Sequence, residues 1–141
     1  MAYTQDFKRS ARRHLRAAHE LHGIAASGAQ PGCRAVAGYL FGLAGELAVK
    51  ELMRETGLRP LPANQQRDDP FYAHFPSLKT RILDTAAGRR SEKLRQLAED
   101  ATLFQHWDTT MRYAPTSDIR DEWITKWRTS AEKLVNEMDL P

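Results

Sequence analysis

An all-α fold, a single-domain antiparallel bundle of about five helices over residues 1–141, is the class this sequence predicts. Three observations predict it. The stretch from Arg34 to Thr56 contains an uncharged run from Ala35 to Gly45, and its apolar residues recur at steps of three and four. Four other segments carry the same helical spacing. No segment alternates with period two for long enough to make a strand.

Helix one is expected from Thr4 to Ala26, with Thr4 as its cap and a stripe of Phe7, Ala11, Leu15, Ala18, Leu21 and Ala25. Gly28 to Gly32, with Pro31, supplies the turn into the second helix. That helix is the centre of the bundle. Val36, Leu40, Leu43 and Leu47 form one stripe, and Ala35, Gly38, Gly42 and Gly45 form a second beside it. A helix apolar nearly all round is buried. Each glycine costs roughly 1 kcal/mol against alanine in a helix, so three on one side imply a closely packed neighbour. Gly42→Leu is accordingly expected to clash. Gly57 reads as the residue just past the helix end, and Pro60 and Pro62 prevent its resumption.

The segment from Leu58 to Tyr72 has no sustained period and is the longest irregular stretch, a common place for function or mobility. Helix three is expected near Pro76, with Leu78, Ile82 and Leu83 inward, stopping by Gly88. Ser91 can cap helix four, whose stripe of Leu94, Leu97, Ala98, Ala101, Phe104, Trp107 and Met111 runs until Pro115. Helix five opens at Ser117 or Asp118 and carries Ile119, Trp123, Trp127, Ala131, Leu134, Val135 and Met138 on one face. The short connections favour antiparallel neighbours.

Composition narrows the function classes. Cys33 is the only cysteine, which removes an internal disulfide framework and a cysteine-based zinc site and fits a reducing cytoplasm. No apolar export segment is visible at the start, and the central run is too soon charged to span a membrane. The net charge of +3 is unevenly spread: Lys8, Arg9, Arg12, Arg13 and Arg16 crowd helix one, while acidic residues gather near the other end. Such asymmetry reads first as a solvated face and second as a means of steering an anionic partner.

No phosphate-binding loop, dinucleotide fingerprint, HExxH or GxSxG is present. His19 and His22 lie three apart but have no third ligand in view, so no metal site and no cofactor are expected. Glu46 and Lys50 have the favourable i, i+4 order. A carboxylate between two apolar stripes needs a partner, and Lys50 or an arginine from another helix is expected to supply it. Arg112 and Tyr113, at the end of helix four, suit a phosphate and a base respectively.

The helix GYLFGLAGELAVKELM with its glutamate and lysine, the sequence His74-Phe-Pro-Ser-Leu78 opening a short helix, and the Trp107-to-Tyr113 segment before Ala-Pro together resemble the HEPN domain family (higher eukaryotes and prokaryotes nucleotide-binding). The resemblance covers nearly the whole chain. It implies a noncatalytic nucleotide- or RNA-binding accessory module, of the kind found in toxin–antitoxin and defence systems. Its partners would be a nucleotide or RNA and a nucleotidyltransferase-like protein. It also implies a homodimer with an isologous interface, which the aromatic-rich last helix also motivates. Glu46, Lys50, Arg112 and Tyr113 are then the ligand-binding residues, in a groove where the central helix meets the end of helix four.

Two alternatives stay open. Ribonuclease members of the family use an Arg-x4-6-His motif without metal. Arg67 and His74 fit that spacing, as do four pairs within the arginine-rich first helix. Arg112 has no histidine at the required distance, so Arg67 and His74 are the catalytic candidates and the enzyme reading stands second. The other alternative is a protein-interaction subunit without nucleotide binding.

Overall fold

The computed structural model describes residues 3–139, and every regular element among them is helical. Helix α1 spans Phe7–Ala26 and α2 spans Cys33–Glu55. Helices α3 (Ser77–Thr85) and α4 (Glu92–Glu99) form a short pair, and α5 spans Asp121–Glu137. Helices α1 and α5 both pack on α2, which is the centre of the core. The all-α expectation holds. No helix among the described residues is long and apolar enough to cross a membrane.

The cap of α1 is Asp6 rather than Thr4, because the Asp6 carboxylate accepts a hydrogen bond from the Arg9 N–H at 3.0 Å. The far end of α2 matches expectation. Gly57 has φ of +100°, its N–H bonds Arg54 O, and the Leu58 N–H bonds Met53 O. This closes the helix with a left-handed residue that glycine adopts without steric penalty.

The buried side of α2 is the glycine stripe, not the leucine stripe. A Cβ on Gly42 would lie 1.9 Å from Trp107 Nε1, and one on Gly45 would lie 2.2 Å from Phe104 Cζ. The missing side chains are the slots these rings fill. Val36 is 49% exposed and Leu40, Leu43 and Leu47 are only half-buried, so the expectation that this stripe is core is corrected. Leu83 likewise faces outward at 43%, while Leu78 and Ile82 are buried.

Helix four is much shorter than its apolar spacing predicts. The α-helix stops at Glu99, and the chain reaches a 3₁₀ turn at Thr109–Tyr113 through a tight irregular segment. Two aspartates start the departures: Asp100 accepts from the Thr102 N–H at 2.9 Å, and Asp108 from the Thr110 N–H at 2.8 Å. Phe104 and His106 adopt left-handed backbone, with φ of 52° and 71°. That conformation costs roughly 1–2 kcal/mol per residue. Seating Phe104 and Trp107 in the glycine slots returns about 1.5–3 kcal/mol for each large apolar side chain buried. The burial wins, and the helix breaks.

Helix α5 starts at Asp121 rather than Ser117 or Asp118, since residues Thr116–Asp118 form a separate 3₁₀ turn. Trp127 is buried against Gly38 and its indole N–H donates to Gln105 O at 2.9 Å. Trp123 is half-buried beneath the His106 ring, 4.3 Å between centroids. Trp127 is thus part of the core, whereas Trp123 keeps part of its surface open and lines a cavity with His106.

Candidate functional site

Glu46 sits on α2 one turn before Lys50 and is 2% exposed. A carboxylate buried that deeply requires hydrogen-bond donors. They come from neither Lys50 nor an arginine. The Phe75 backbone N–H donates to Oε1 at 2.7 Å, and His74 Nδ1 lies 2.9 Å from Oε2. Facing a carboxylate, Nδ1 carries the proton and donates it, so Nε2 of the neutral ring presents a lone pair. The His74 side chain is 52% exposed, so a buried anion orients an accessible imidazole.

The local sequence explains how the loop delivers that histidine. The carboxylate of Asp69, itself buried, accepts from the Phe71 N–H at 3.0 Å and the Leu61 N–H at 2.9 Å. It thereby caps the 3₁₀ turn Pro70–Tyr72 and ties the two ends of the loop together. Phe71 and Phe75 are buried on either side of His74, and Phe75 stacks on Phe104 at 4.9 Å. With both flanking rings anchored, His74 projects outward.

A cavity of about 330 Å³ opens in front of His74, lined among others by Arg67, Tyr72, Arg81, Asp108 and Thr109. That volume suits a small ligand. Arg81 is held by Asp68 at 3.1 Å, and Asp108 is held by the Thr110 N–H and hydroxyl. Those bonds from Thr110 keep the Asp108 carboxyl below the usual range, so it stays ionised. Arg67 contributes an exposed guanidinium to the same cavity.

Lys50 is buried beside this site. Burial pushes its pKa below the ordinary lysine value, while the charges of Glu46 and Asp69 pull it back up. It lies one helical turn along α2 from Glu46 and within reach of the Asp69 charge. Arg112 and Tyr113 lie elsewhere. The Arg112 guanidinium is 5.9 Å from the centroid of Tyr39 and 5.1 Å from that of Tyr113, and its Nε donates to Thr109 O at 3.0 Å. Tyr39 stacks in turn on Trp107 at 5.5 Å. Tyr39 is seven residues before Glu46, two turns or roughly 10 Å along the helix.

The structure thus joins Glu46 to His74, lines one cavity with His74 and Arg67, and sets Arg112 and Tyr113 apart on a second platform. Arg112 belongs to a 3₁₀ turn rather than to the end of a long fourth helix. No protein-family model, characterised protein or solved structure matches the chain. The site therefore has to be read from its own chemistry.

Sequence reasoning missed Tyr72, Arg81, Asp108 and Thr109 as lining residues. It also missed Asp69, for which the Asp-Pro dipeptide was a usable turn signal. The other cavities lack a comparable oriented group. In one of about 550 Å³ between the start of α1 and the loop after α2, Arg54 is paired with Glu51 and Lys8 with Asp139, and Arg59 donates to the Arg54 and Leu58 carbonyls. No group of three metal-ligating side chains occurs among the described residues. His19 and His22 both pack edge-on against Phe41.

Proposed function

We propose that this chain is a HEPN-like module that binds a nucleotide or RNA in the cavity before His74. The supporting observation is the Glu46–His74 hydrogen bond, which presents an oriented, exposed imidazole beside the Arg67 guanidinium. A guanidinium can grip a phosphate through two parallel hydrogen bonds, and imidazole can donate a third when protonated. Tyr72 lines the same cavity and offers a ring for a base. Glu46 does not touch an anionic ligand in this reading. It fixes the ring that does.

The same hydrogen bond favours a second reading, metal-independent RNA cleavage. His74 Nε2 would take the proton of a ribose 2′-hydroxyl as its oxygen attacks the adjacent phosphorus, Arg67 would stabilise the added negative charge, and the 5′-oxygen would leave with a proton from water. Glu46 would stabilise the imidazolium that forms, as a buried carboxylate does behind a catalytic histidine.

Fluorescence anisotropy with a labelled hexauridine at about 50 mM salt, where phosphate contacts are strong, tests binding. Arg67→Ala and His74→Ala are expected to weaken it at least several-fold. Arg67→Ala, at an exposed side chain, should change the melting temperature little, whereas His74→Ala also removes the charged hydrogen bond to buried Glu46, worth about 1.5–3 kcal/mol, and is compared where urea unfolding shows it folded. Absence of binding by the wild type at that salt would reject the proposal and leave the protein-interaction reading in its place. Release of shorter fragments in the presence of EDTA, lost in His74→Ala, would move the chain to the enzymatic reading.

A further inference from the structure

The 3₁₀ turn Thr109–Tyr113 connects two places that can each hold one part of a polynucleotide. Its first residue, Thr109, lines the His74 cavity. Its last, Tyr113, presents a phenol ring that is 79% exposed. Four residues at the 3₁₀ rise separate them by roughly 8 Å. That step is of the same order as the spacing of neighbouring nucleotides in an extended single strand.

An exposed tyrosine is usually a mobile one, but the surroundings of Tyr113 are built. The Arg112 guanidinium lies over its ring at 5.1 Å and over Tyr39 at 5.9 Å, and is fixed by its bond to Thr109 O. Tyr39 stacks on the buried Trp107, whose indole N–H donates to Tyr39 O at 3.2 Å. Trp107 meets Phe75 edge-on at 6.3 Å, and Phe75 is the neighbour of His74 that also bonds Glu46. Tyr113 is therefore backed, through the Arg112 guanidinium, by Tyr39, Trp107 and Phe75 in turn, and the Phe75 N–H bonds Glu46, the residue that orients the imidazole. Each end carries a cation, Arg112 at the platform and Arg67 in the cavity. Trp107 and Phe75 are buried and only brace the platform; the exposed Tyr113 ring with its adjacent guanidinium is the kind of element that holds single-stranded nucleic acid without reading its sequence.

We infer that the ligand is a single-stranded oligonucleotide rather than a mononucleotide, with one phosphate at Arg67 and His74 and a neighbouring base stacked on Tyr113 and Arg112. This rests on the nucleic-acid reading of the His74 cavity. It adds a second subsite and a minimum length. A duplex is disfavoured, because its bases are already stacked on each other and cannot offer a face to Tyr113.

Competition anisotropy with uridine monophosphate and with di-, tri- and hexauridine tests it. Affinity is expected to rise about 5- to 150-fold between the mononucleotide and the trinucleotide, the gain one stacked base provides, and then to flatten. Tyr113→Ala is expected to remove most of that gain while leaving the mononucleotide affinity unchanged, and Tyr113→Phe to retain it. Arg67→Ala should weaken every length. Mononucleotide and hexamer binding equally well, or Tyr113→Ala lowering both alike, would overturn the two-subsite inference and leave the cavity reading intact. Failure of every length to bind would instead remove the cavity reading, and this inference with it. Urea unfolding of Tyr113→Ala is expected to match the wild type, which separates loss of a contact from loss of the fold.

Discussion

Gly42→Ala adds one methyl group at the place where α2 leaves least room. The new Cβ would lie 1.9 Å from Trp107 Nε1, 2.1 Å from Cε2 and 2.4 Å from Cδ1, all far inside van der Waals contact. These atoms belong to a rigid ring, not to the free end of a flexible chain. Trp107 is 2% exposed, stacked on Tyr39 and set edge-on to Phe75, so it has no empty space to enter. Either the helix and the Trp107 segment separate, or the ring leaves its slot. Overpacking of this kind costs about 1–3 kcal/mol. Expulsion of the ring would approach the 3–5 kcal/mol typical of deleting a buried tryptophan, with about 1 kcal/mol more for the bond to Tyr39 O. Alanine returns about 1 kcal/mol of helix propensity. The net expectation is a loss of up to about 2 kcal/mol if the helix and the segment separate and about 3–5 kcal/mol if the ring is expelled, and more for Gly42→Leu. Urea unfolding followed by circular dichroism measures it, and near-ultraviolet dichroism should show the altered tryptophan environment. Gly23→Ala is the matched control, because a Cβ there meets nothing within 4 Å and Gly23 lies inside α1. It should gain up to about 1 kcal/mol. If Gly42→Ala is as stable as Gly23→Ala, the glycine-slot explanation for the broken fourth helix is wrong.

Two further substitutions address the polar layer behind His74. Glu46→Gln keeps the acceptor for the Phe75 N–H but can turn an amide NH₂ towards His74 Nδ1, making that nitrogen the acceptor and moving the ring proton to Nε2. Nitrogen-15 imidazole shifts above neutral pH should report the exchanged tautomer, with a stability loss of about 1.5–3 kcal/mol for the charged hydrogen bond; an unchanged tautomer would show that Glu46 does not orient the ring. Lys50→Met removes the ammonium whose pKa burial holds below the ordinary 10.5. Between the folded value and 10.5 the unfolded chain binds more protons than the folded one, so the wild type should gain stability relative to the variant as pH rises through that window. Paired urea titrations between pH 7 and 10.5 give the difference. A gap that stays constant, or moves the other way, would show that Lys50 keeps its charge at little cost.

Periodicity alone determined the number and approximate places of the helices, because an apolar stripe must repeat every three or four residues to face a core. It determined that α2 is central, from its run of uncharged residues, and that Gly57 ends it, since a left-handed residue there favours glycine. It also singled out Glu46, as a carboxylate where none should be free, while Arg67 with His74 came only from the motif that the family resemblance implies. What it could not determine was which of two apolar stripes on α2 lies inside. Leucine and glycine stripes are both compatible with burial, and only the arrival of Phe104 and Trp107 from a distant segment fills the glycine side. The same arrival ended the fourth helix against its own local spacing, because ring burial outweighs two strained residues. The partner of Glu46 was equally out of reach. Lys50 is near in sequence, whereas His74 is 28 residues away, joined to Glu46 only when the Asp69 turn and the two buried phenylalanines fold the loop back onto α2.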